Sequence, residues 1–434
     1  MTFQADILPA EQAALLLDQF DNILDLLTSR PDEDVEPVLR QPSSLLSITP
    51  AKETALSSEV KLLHEFVDRN ALIKPDAIAL EFATSFRNKK PVSRCWTYHQ
   101  LDAEGNRIAN LLIADGIKPG SLVAICFDKC PEASFAIIGI LKAGCAFVAV
   151  DRGAPAARKA FIINDSCCKA FLSMQEYSEG LQDQIDVPII NIDDCSLHSL
   201  STAQPHLERS IDPSDLCYCL YTSGTTGVPK GCELTHENAV QSMLAFRGVF
   251  DGHWDENSRW LQFASFHFDV SILEQFWSWS VGIRVVSAPR DLIFEDLAAA
   301  IRQLEITHID LTPSLARLLH PDEVPSLCRG AFITGGEQLK QEILDAWGSK
   351  GVIYNFYGPT EATIGVTVQP RVPENGKSSN IGCQFANVGS YVLRPNSDIP
   401  VIRGGVGELC VSGKLVGKGM FLVQCAYHAF QLIR

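Results

Sequence analysis

The chain has 434 residues, 46% of them apolar and 20% charged, with a formal net charge of −16. That length exceeds a usual single domain, so two or three packed subdomains with a sizeable core are expected. The acidic balance argues against nucleic acid or an anionic membrane surface as the main partner.

In chain order, residues 1–62 differ in character from the remainder of the chain. Ala10 to Thr28 carries Leu15, Leu16, Phe20, Ile23, Leu24 and Leu27 at helical spacing, and Arg30 to Ser58 is rich in Pro, Ser and Glu like a linker. Met1 to Ala10 lacks a basic start followed by an apolar core, so no secretory signal is read there. From Val60 onward helical patterns alternate with short β-branched runs at Ser121–Cys126, Phe147–Val150, Val187–Ile192, Leu216–Tyr221, Ile283–Ser287, His308–Leu311 and Val352–Asn355. This alternation predicts an α/β protein with parallel sheets covered by helices, and such sheets collect ligands at the carboxyl ends of their strands. The longest apolar run, Ala133 to Val150, is cut by Lys142 and two glycines and predicts a buried helix leading into a strand rather than a membrane span. The fourteen cysteines are dispersed and include Cys167-Cys168 and Cys217-Tyr-Cys219 without paired Cys-x-x-Cys spacing. They read as reduced thiols of a cytoplasmic protein, not as a disulfide scaffold or zinc site.

The most informative stretch is Tyr221-Thr-Ser-Gly-Thr-Thr-Gly-Val-Pro-Lys230-Gly. Gly224, Gly227 and Gly231 let the backbone approach an anion, Thr222, Ser223, Thr225 and Thr226 add hydroxyl donors, and Lys230 adds positive charge. The spacing differs from that of the P-loop, which disfavours a P-loop kinase or GTPase. Taken alone, a Gly/Ser/Thr cluster of this kind also fits a flexible turn.

Further segments resolve that ambiguity. Leu216 to Asn238 resembles the phosphate-loop signature of adenylate-forming enzymes. Leu141-Lys-Ala-Gly144 precedes it, and Phe266-His-Phe-Asp-Val-Ser271, Ile333-Thr-Gly-Gly-Glu337, Asn355-Phe-Tyr-Gly-Pro-Thr-Glu361 and Gly407-Glu-Leu409 follow in the family's order. The resemblance covers residues from about 63 to about 419 and is nearest to adenylation domains of nonribosomal peptide synthetases. It implies a large lobe of layered αβαβα subdomains plus a small β-rich subdomain within Asn380 to Gly419. It also implies that 1–62 is the end of a condensation-like region with its linker, and 420–434 an unrelated tail.

The resemblance further implies ATP and Mg²⁺ as cofactors. Thr222, Ser223, Gly224, Thr225, Thr226, Gly227 and Lys230 would serve the phosphates, Gly336, Glu337, Asn355 and Tyr357 the adenine, and Thr360 the α-phosphate. Glu361 would hold the metal, since a carboxylate beside phosphates makes sense only with a cation between them. Asp269 stands at the position that pairs with a substrate α-ammonium, which favours an amino acid over a fatty or aryl acid. The remaining pocket positions are Val270, Leu273, Asp310, Ile333, Gly335, Phe356, Ile364 and Gly365. Asp310 lies within an otherwise apolar stretch and calls for a polar or cationic partner, while Gly335 and Gly365 are expected to leave the pocket floor open. The set resembles that of fungal ferrichrome-type siderophore synthetases, which implies an acylated hydroxyornithine as substrate, with ornithine and lysine as alternatives. His267 needs no role as a base, because the substrate carboxylate is already ionised. Phe268 would shield the amino-acid site, and Trp277 and Trp279 read as packing residues.

The departures from the family are Ala149, where a proline is usual, and the carboxyl end. Past Gly419 the family continues to a ribose-binding aspartate, a hinge and a small domain with a catalytic lysine, none of which is matched here. A carrier domain bearing phosphopantetheine is also unmatched, so carrier and condensation domains of a larger synthetase are the expected partners. Three readings stay open: an adenylating enzyme or fragment with weak turnover, a non-catalytic remnant that binds ligand or partner, and an acyl-CoA ligase relative.

Overall fold

The computed structural model describes residues 10–29, 31–32, 46–193, 199–223 and 229–421. Two large sheets lie at its centre. The seven-stranded sheet runs in the order Gly419–Phe421, Pro229–Thr235, Leu216–Ser223, Ala146–Ala149, Leu122–Cys126, Ala170–Ser173, Ile189–Asn191. The nine-stranded sheet runs Cys383–Gln384, Thr367–Gln369, Ile353–Tyr357, Ala331–Thr334, His308–Leu311, Arg259–Leu261, Arg284–Ser287, Ile78–Arg87, Lys90–Thr97.

All seven strands expected from β-branched runs are present, and their mutual pairings are parallel where they are neighbours. The sheets are nonetheless mixed. Leu216–Ser223 turns back antiparallel into Pro229–Thr235, and the nine-stranded sheet ends in antiparallel strands at both edges. Ile78–Arg87 and Lys90–Thr97 are joined by a two-residue turn, which a parallel neighbour could not use.

A third, small sheet pairs Val388–Leu393 with Glu408–Gly413, within the span expected to be β-rich. Its other edge is Ile48–Thr49, so part of the stretch read as linker is a strand of this sheet. The helix Ala10–Ser29 forms where the leucine spacing predicted it, and Gln19 Nε2 donates to the Arg403 carbonyl at 2.7 Å.

Capping chemistry fixes the helices that carry the site. Thr235, ending its strand, caps His236–Val249 through a reciprocal pair with Asn238, and Asn238 also donates to the carbonyls of Lys414 and Val416. The helix Pro131–Lys142 is buried along its length and leads into Ala146–Ala149, as its apolar run predicted. No helix among the described residues is long and apolar enough to cross a membrane. Trp277 and Trp279 are fully buried, in an aromatic cluster with Phe250, Trp260 and Phe276 that packs the two sheets together.

Lys142, the charge that interrupts the apolar run, is 5% exposed and pairs with Asp68 at 2.6 Å and Asp102 at 2.7 Å, tying three helices together. Burial raises the Asp68 carboxyl to about 6, against the pull of Lys142. Removing the lysine strands two acids, so Lys142→Met is expected to cost about 3 kcal/mol at pH 8. The cost shrinks at pH 5, where Asp68 takes up a proton. Urea denaturation at the two pH values measures both, and an equal loss at each would show that the charge is not the cause.

Candidate active site

The strands His308–Leu311, Ala331–Thr334 and Ile353–Tyr357 run parallel and adjacent, so their carboxyl ends open on one side of the sheet. There Asp310, Leu311, Thr312, Gly335, Gly336, Glu337, Phe356 and Gly358 line a cavity of about 580 Å³, closed from the other side by Phe266–Val270 and Thr360. A second cavity of about 490 Å³ continues from it, lined by Asn355, Tyr357, Pro359, Ser378, Ser379 and Ile381. The two share Gly336, Glu337, Phe356 and Gly358. Both volumes suit small molecules, and their meeting suits two ligands that must touch.

Asp269, Val270, Asp310, Gly335, Phe356, Ile364, Thr360, Gly336 and Glu337 all line the larger cavity. Asn355 and Tyr357 line the smaller one, where Tyr357 offers a ring that is 46% exposed. Asn355 is held by its side-chain N–H on the Asn380 carbonyl at 2.8 Å. Leu273 and Ile333 are fully buried and lie behind the cavity wall rather than on it.

The glycines act differently from the expectation. A side chain at Gly335 would meet the ring of Phe356 at 3.0 Å, and one at Gly365 would meet Phe246, Phe356 and Phe385. Their bareness gives Phe356 its seat. It does not leave the pocket floor open.

Asp269 is 8% exposed and stands at the start of an unusual helix, in which Val270–Ile272 passes into a π-turn at Leu273–Trp277 before Ser278–Val281. Such bulges frequently mark functional sites. Burial raises the Asp269 carboxyl to about 6, against the pull of the nearby Thr360 hydroxyl and Val270 N–H. Asp310 is 6% exposed, its Oδ2 has no hydrogen-bond partner, and burial beside Glu274 and Asp269 holds it well above the usual carboxylate range.

Thr363 and Ile364 both adopt positive φ, 55° and 77°, a conformation that is strained for a β-branched residue. The Thr363 hydroxyl on the Leu415 carbonyl and the Ser242 hydroxyl on the Thr363 carbonyl pin this turn from two sides. Glu361 is half-buried, and its backbone carbonyl accepts from the Gly417 N–H at 2.8 Å. Its carboxylate makes no hydrogen bond or ion pair among the described residues.

Thr222, Ser223 and Lys230 belong to the hairpin of Leu216–Ser223 and Pro229–Thr235, with Thr222 opposite Lys230 in register. Gly224, Thr225, Thr226 and Gly227, the centre of the phosphate loop, lie outside the described residues. Tyr221, which leads into that loop, donates its hydroxyl to Asp165 at 2.6 Å. His267 is packed on Phe268 with its Nδ1 3.8 Å from Asp151, and burial lowers its pKa, as a packing role predicts. Phe268 is 58% exposed at the cavity edge.

Two charged residues of this region escaped the sequence reading. Lys129 lines the larger cavity, donates to Gln262 at 2.8 Å and to the Ala264 carbonyl, and lies over the Phe266 ring at 4.9 Å. Burial brings it down to about 8. Glu274, fully buried on the π-turn, accepts from the N–H groups of Phe263 and Ala264 at 3.0 Å and is raised to about 7 by burial. The signal that marked Asp310, an acid inside an apolar run, is present also at Leu273-Glu-Gln-Phe-Trp277.

A family model described as AMP-binding enzyme matches residues 67–421. The chain is 65% identical over 422 residues to nonribosomal peptide synthetase 2 of Cochliobolus heterostrophus, covering 96% of this chain and 8% of that protein. It is 46% identical over 414 residues to the hydroxamate-type ferrichrome siderophore peptide synthetase of Schizosaccharomyces pombe, covering 95% of this chain and 8% of that protein. It thus spans about 8% of the length of these relatives. Among solved structures, VinN superposes with a TM-score of 0.73 at 21% identity, over 83% of this chain and 90% of that one. The Klebsiella oxytoca NpsA N-terminal subdomain, in complex with 3-hydroxybenzoyl-AMSN, does so with 0.71 at 21%, over 84% and 90%. At that identity the likeness is one of fold, the layered α/β large lobe. With strand order, ordered motifs and the family match in agreement over most of its length, the chain belongs to the family of AMP-binding enzymes.

Proposed function

We propose that this chain activates an amino acid with ATP, giving an aminoacyl adenylate and pyrophosphate. The observation that carries the reading is Asp269, a carboxylate buried in the cavity wall and without an ion pair among the described residues. A buried acid of this kind asks for a cation, and an α-ammonium supplies one. A fatty or aryl acid would leave it unpaired, which disfavours an acyl-CoA ligase.

In the reaction an oxygen of the substrate carboxylate bonds to the α-phosphorus while the bond from that phosphorus to the bridging oxygen of pyrophosphate breaks. The carboxylate is already ionised, so no general base is required and the work of the protein is to position two anions. On this reading Thr360 reaches the α-phosphate, and Tyr357, Asn355, Gly336 and Glu337 receive the adenine. Thr222, Ser223, Lys230 and the loop between them receive the remaining phosphates. The unpartnered Glu361 fits Mg²⁺, which is commonly held by one or two carboxylates plus phosphates, and no group of three or more acidic, His or Cys side chains suited to a protein-only metal cage occurs among the described residues. Bound there, the ion would supply neutralising charge to the phosphates.

For the amino acid we favour a δ-N-acyl-δ-N-hydroxyornithine. The size of the cavity, the polar Asp310 at its wall and the likeness to a hydroxamate-type siderophore synthetase support that choice. Transfer to a carrier thiol would fall to carrier and condensation domains of a larger synthetase. Free thiols at Cys126, Cys145, Cys168, Cys217, Cys219 and Cys232 fit a cytoplasmic setting.

Calorimetry of the purified chain with ATP·Mg²⁺ and with the acylated hydroxyornithine, alongside pyrophosphate exchange, is the primary test. Specific binding of both is expected, and a folded chain that binds neither rejects the proposal. Asp269→Asn is expected to weaken amino-acid binding at least about 30-fold, or about 2 kcal/mol, with ATP affinity unchanged. Because the Asp269 proton must leave before the ammonium can pair, wild-type affinity for the amino acid should be flat above pH 7. It should fall about tenfold per unit below the Asp269 value of about 6. A flat profile down to pH 5 would separate Asp269 from the ammonium. Glu361→Gln is expected to remove the Mg²⁺ dependence of ATP binding while leaving the metal-free affinity in place, measured by titration with and without the ion.

A further inference from the structure

The charged groups on the larger cavity divide into two sets. Asp128, Asp151, Arg152, His267 and Arg290 stand together on one stretch of the wall, where Arg152 pairs with Asp128 at 3.0 Å and His267 lies against Asp151. Asp269 and Asp310 form the other set, buried beside the fully buried Glu274 with Lys129 as the cation that acts on Glu274, while Glu337 stands apart on the wall shared with the smaller cavity. Two hydrogens of the Lys129 ammonium are engaged by Gln262 and Ala264, beside the same Glu274 that takes the N–H groups of Phe263 and Ala264. Lys129 therefore answers Glu274. The proposed α-ammonium answers Asp269, and Asp310 is left.

Asp310, next to the last residue of its strand, lines a cavity to which Leu311, Leu315, Phe266, Phe294 and Phe356 contribute apolar surface. Its Oδ2 is buried and unbonded, and the groups that act on it electrically are two further acids, Glu274 and Asp269. A carboxylate there would carry an unpaired charge in an apolar surround and face like charge, which is the arrangement that keeps a carboxyl protonated. A protonated carboxyl is a hydrogen-bond donor.

We propose that Asp310 serves as a neutral hydrogen-bond donor to the substrate side chain, so that the site selects an uncharged chain bearing a carbonyl-type oxygen and rejects a cationic one. The inference rests on the amino-acid reading above and sharpens it: acylated hydroxyornithine presents such an oxygen, whereas ornithine and lysine present an ammonium. Accepting an ammonium would require Asp310 to shed its proton and the ammonium to shed its water. Accepting a neutral oxygen requires neither, and satisfies an atom that is otherwise bare.

The test compares Asp310→Asn with Asp310→Leu in the full chain, by calorimetry with δ-N-acetyl-δ-N-hydroxyornithine, ornithine and ATP·Mg²⁺. An amide keeps the donor and loses the capacity for charge; leucine keeps the volume and loses the donor. Asp310→Asn is expected to hold the acylated ligand within about threefold of wild type and Asp310→Leu to weaken it at least about tenfold, with ATP binding unchanged in both. Wild type is expected to bind ornithine at least about tenfold more weakly than the acylated ligand. Equal affinities in all three proteins, an Asp310→Asn as weak as Asp310→Leu, or a wild type that prefers ornithine would overturn the proposal. A wild type that binds ATP but neither amino acid would instead overturn the substrate reading and this inference with it, and one that binds no ATP would overturn the adenylation reading itself.

Discussion

The meeting of the buried Asp269 carboxyl with the Thr360 hydroxyl is the constraint around which the site is arranged. It joins the two halves of the cavity wall: Asp269 opens the helix that comes after Phe266–Phe268, and Thr360 opens the turn that comes after the strand Ile353–Tyr357. A buried acid without a cation is costly, and one hydroxyl offsets only part of that cost. The protein therefore carries a standing demand for positive charge at one point, and on the adenylation reading that demand orients the amino acid. Once the ammonium is fixed there, the substrate carboxylate is confined to the neighbourhood of Thr360 and Gly358, beside the wall that both cavities share.

Such an arrangement needs a rigid surround, and three devices supply it. The π-turn at Leu273–Trp277 places Glu274 where it caps the N–H groups of Phe263 and Ala264, fixing the loop that carries Asp269. The strained pair Thr363 and Ile364 is held by Ser242 and Leu415, which come from a buried helix and from the far end of the chain. Gly335 and Gly365 let Phe356 lie against Phe246, so that one aromatic ring serves both as cavity wall and as core. Strain and close approach of this kind persist only where neighbouring packing enforces them.

Much of this was legible in the sequence, for physical reasons that differ by residue. The parallel strands announce themselves because a strand buried on both faces must be apolar throughout, as at His308–Leu311 and Leu122–Cys126, and Asp310 stands out against that background. The antiparallel strands did not, because Pro229–Thr235 and Thr367–Gln369 carry mixed side chains and owe their form to an antiparallel partner. Leu273 and Ile333 match the family's pocket positions, yet they lie behind the wall, since a spacing rule cannot tell which side of a π-turn or strand meets the cavity. Lys129 looks ordinary alone, and Glu274 shares its apolar run with residues that read as packing. Their meaning lies in a contact between segments far apart in the chain, in the loops that their hydrogen bonds to Gln262 and Ala264 draw together.

The two cavities also bear on how the reaction would be driven. Attack of a carboxylate on a phosphate brings two anions together, so in water the approach itself is opposed. Here the sharing of Gly336, Glu337, Phe356 and Gly358 between the cavities means that a nucleotide and an amino acid bound side by side are already neighbours. The entropy of bringing them together is then met by binding rather than in the chemical step. The same adjacency explains why charge is rationed in the larger cavity. Had Asp310 been ionised beside Asp269 and Glu274, the field at the shared wall would oppose a second anion. A protonated Asp310 reads the distal end of the substrate by hydrogen bonding while leaving the electrostatics at its reacting end undisturbed.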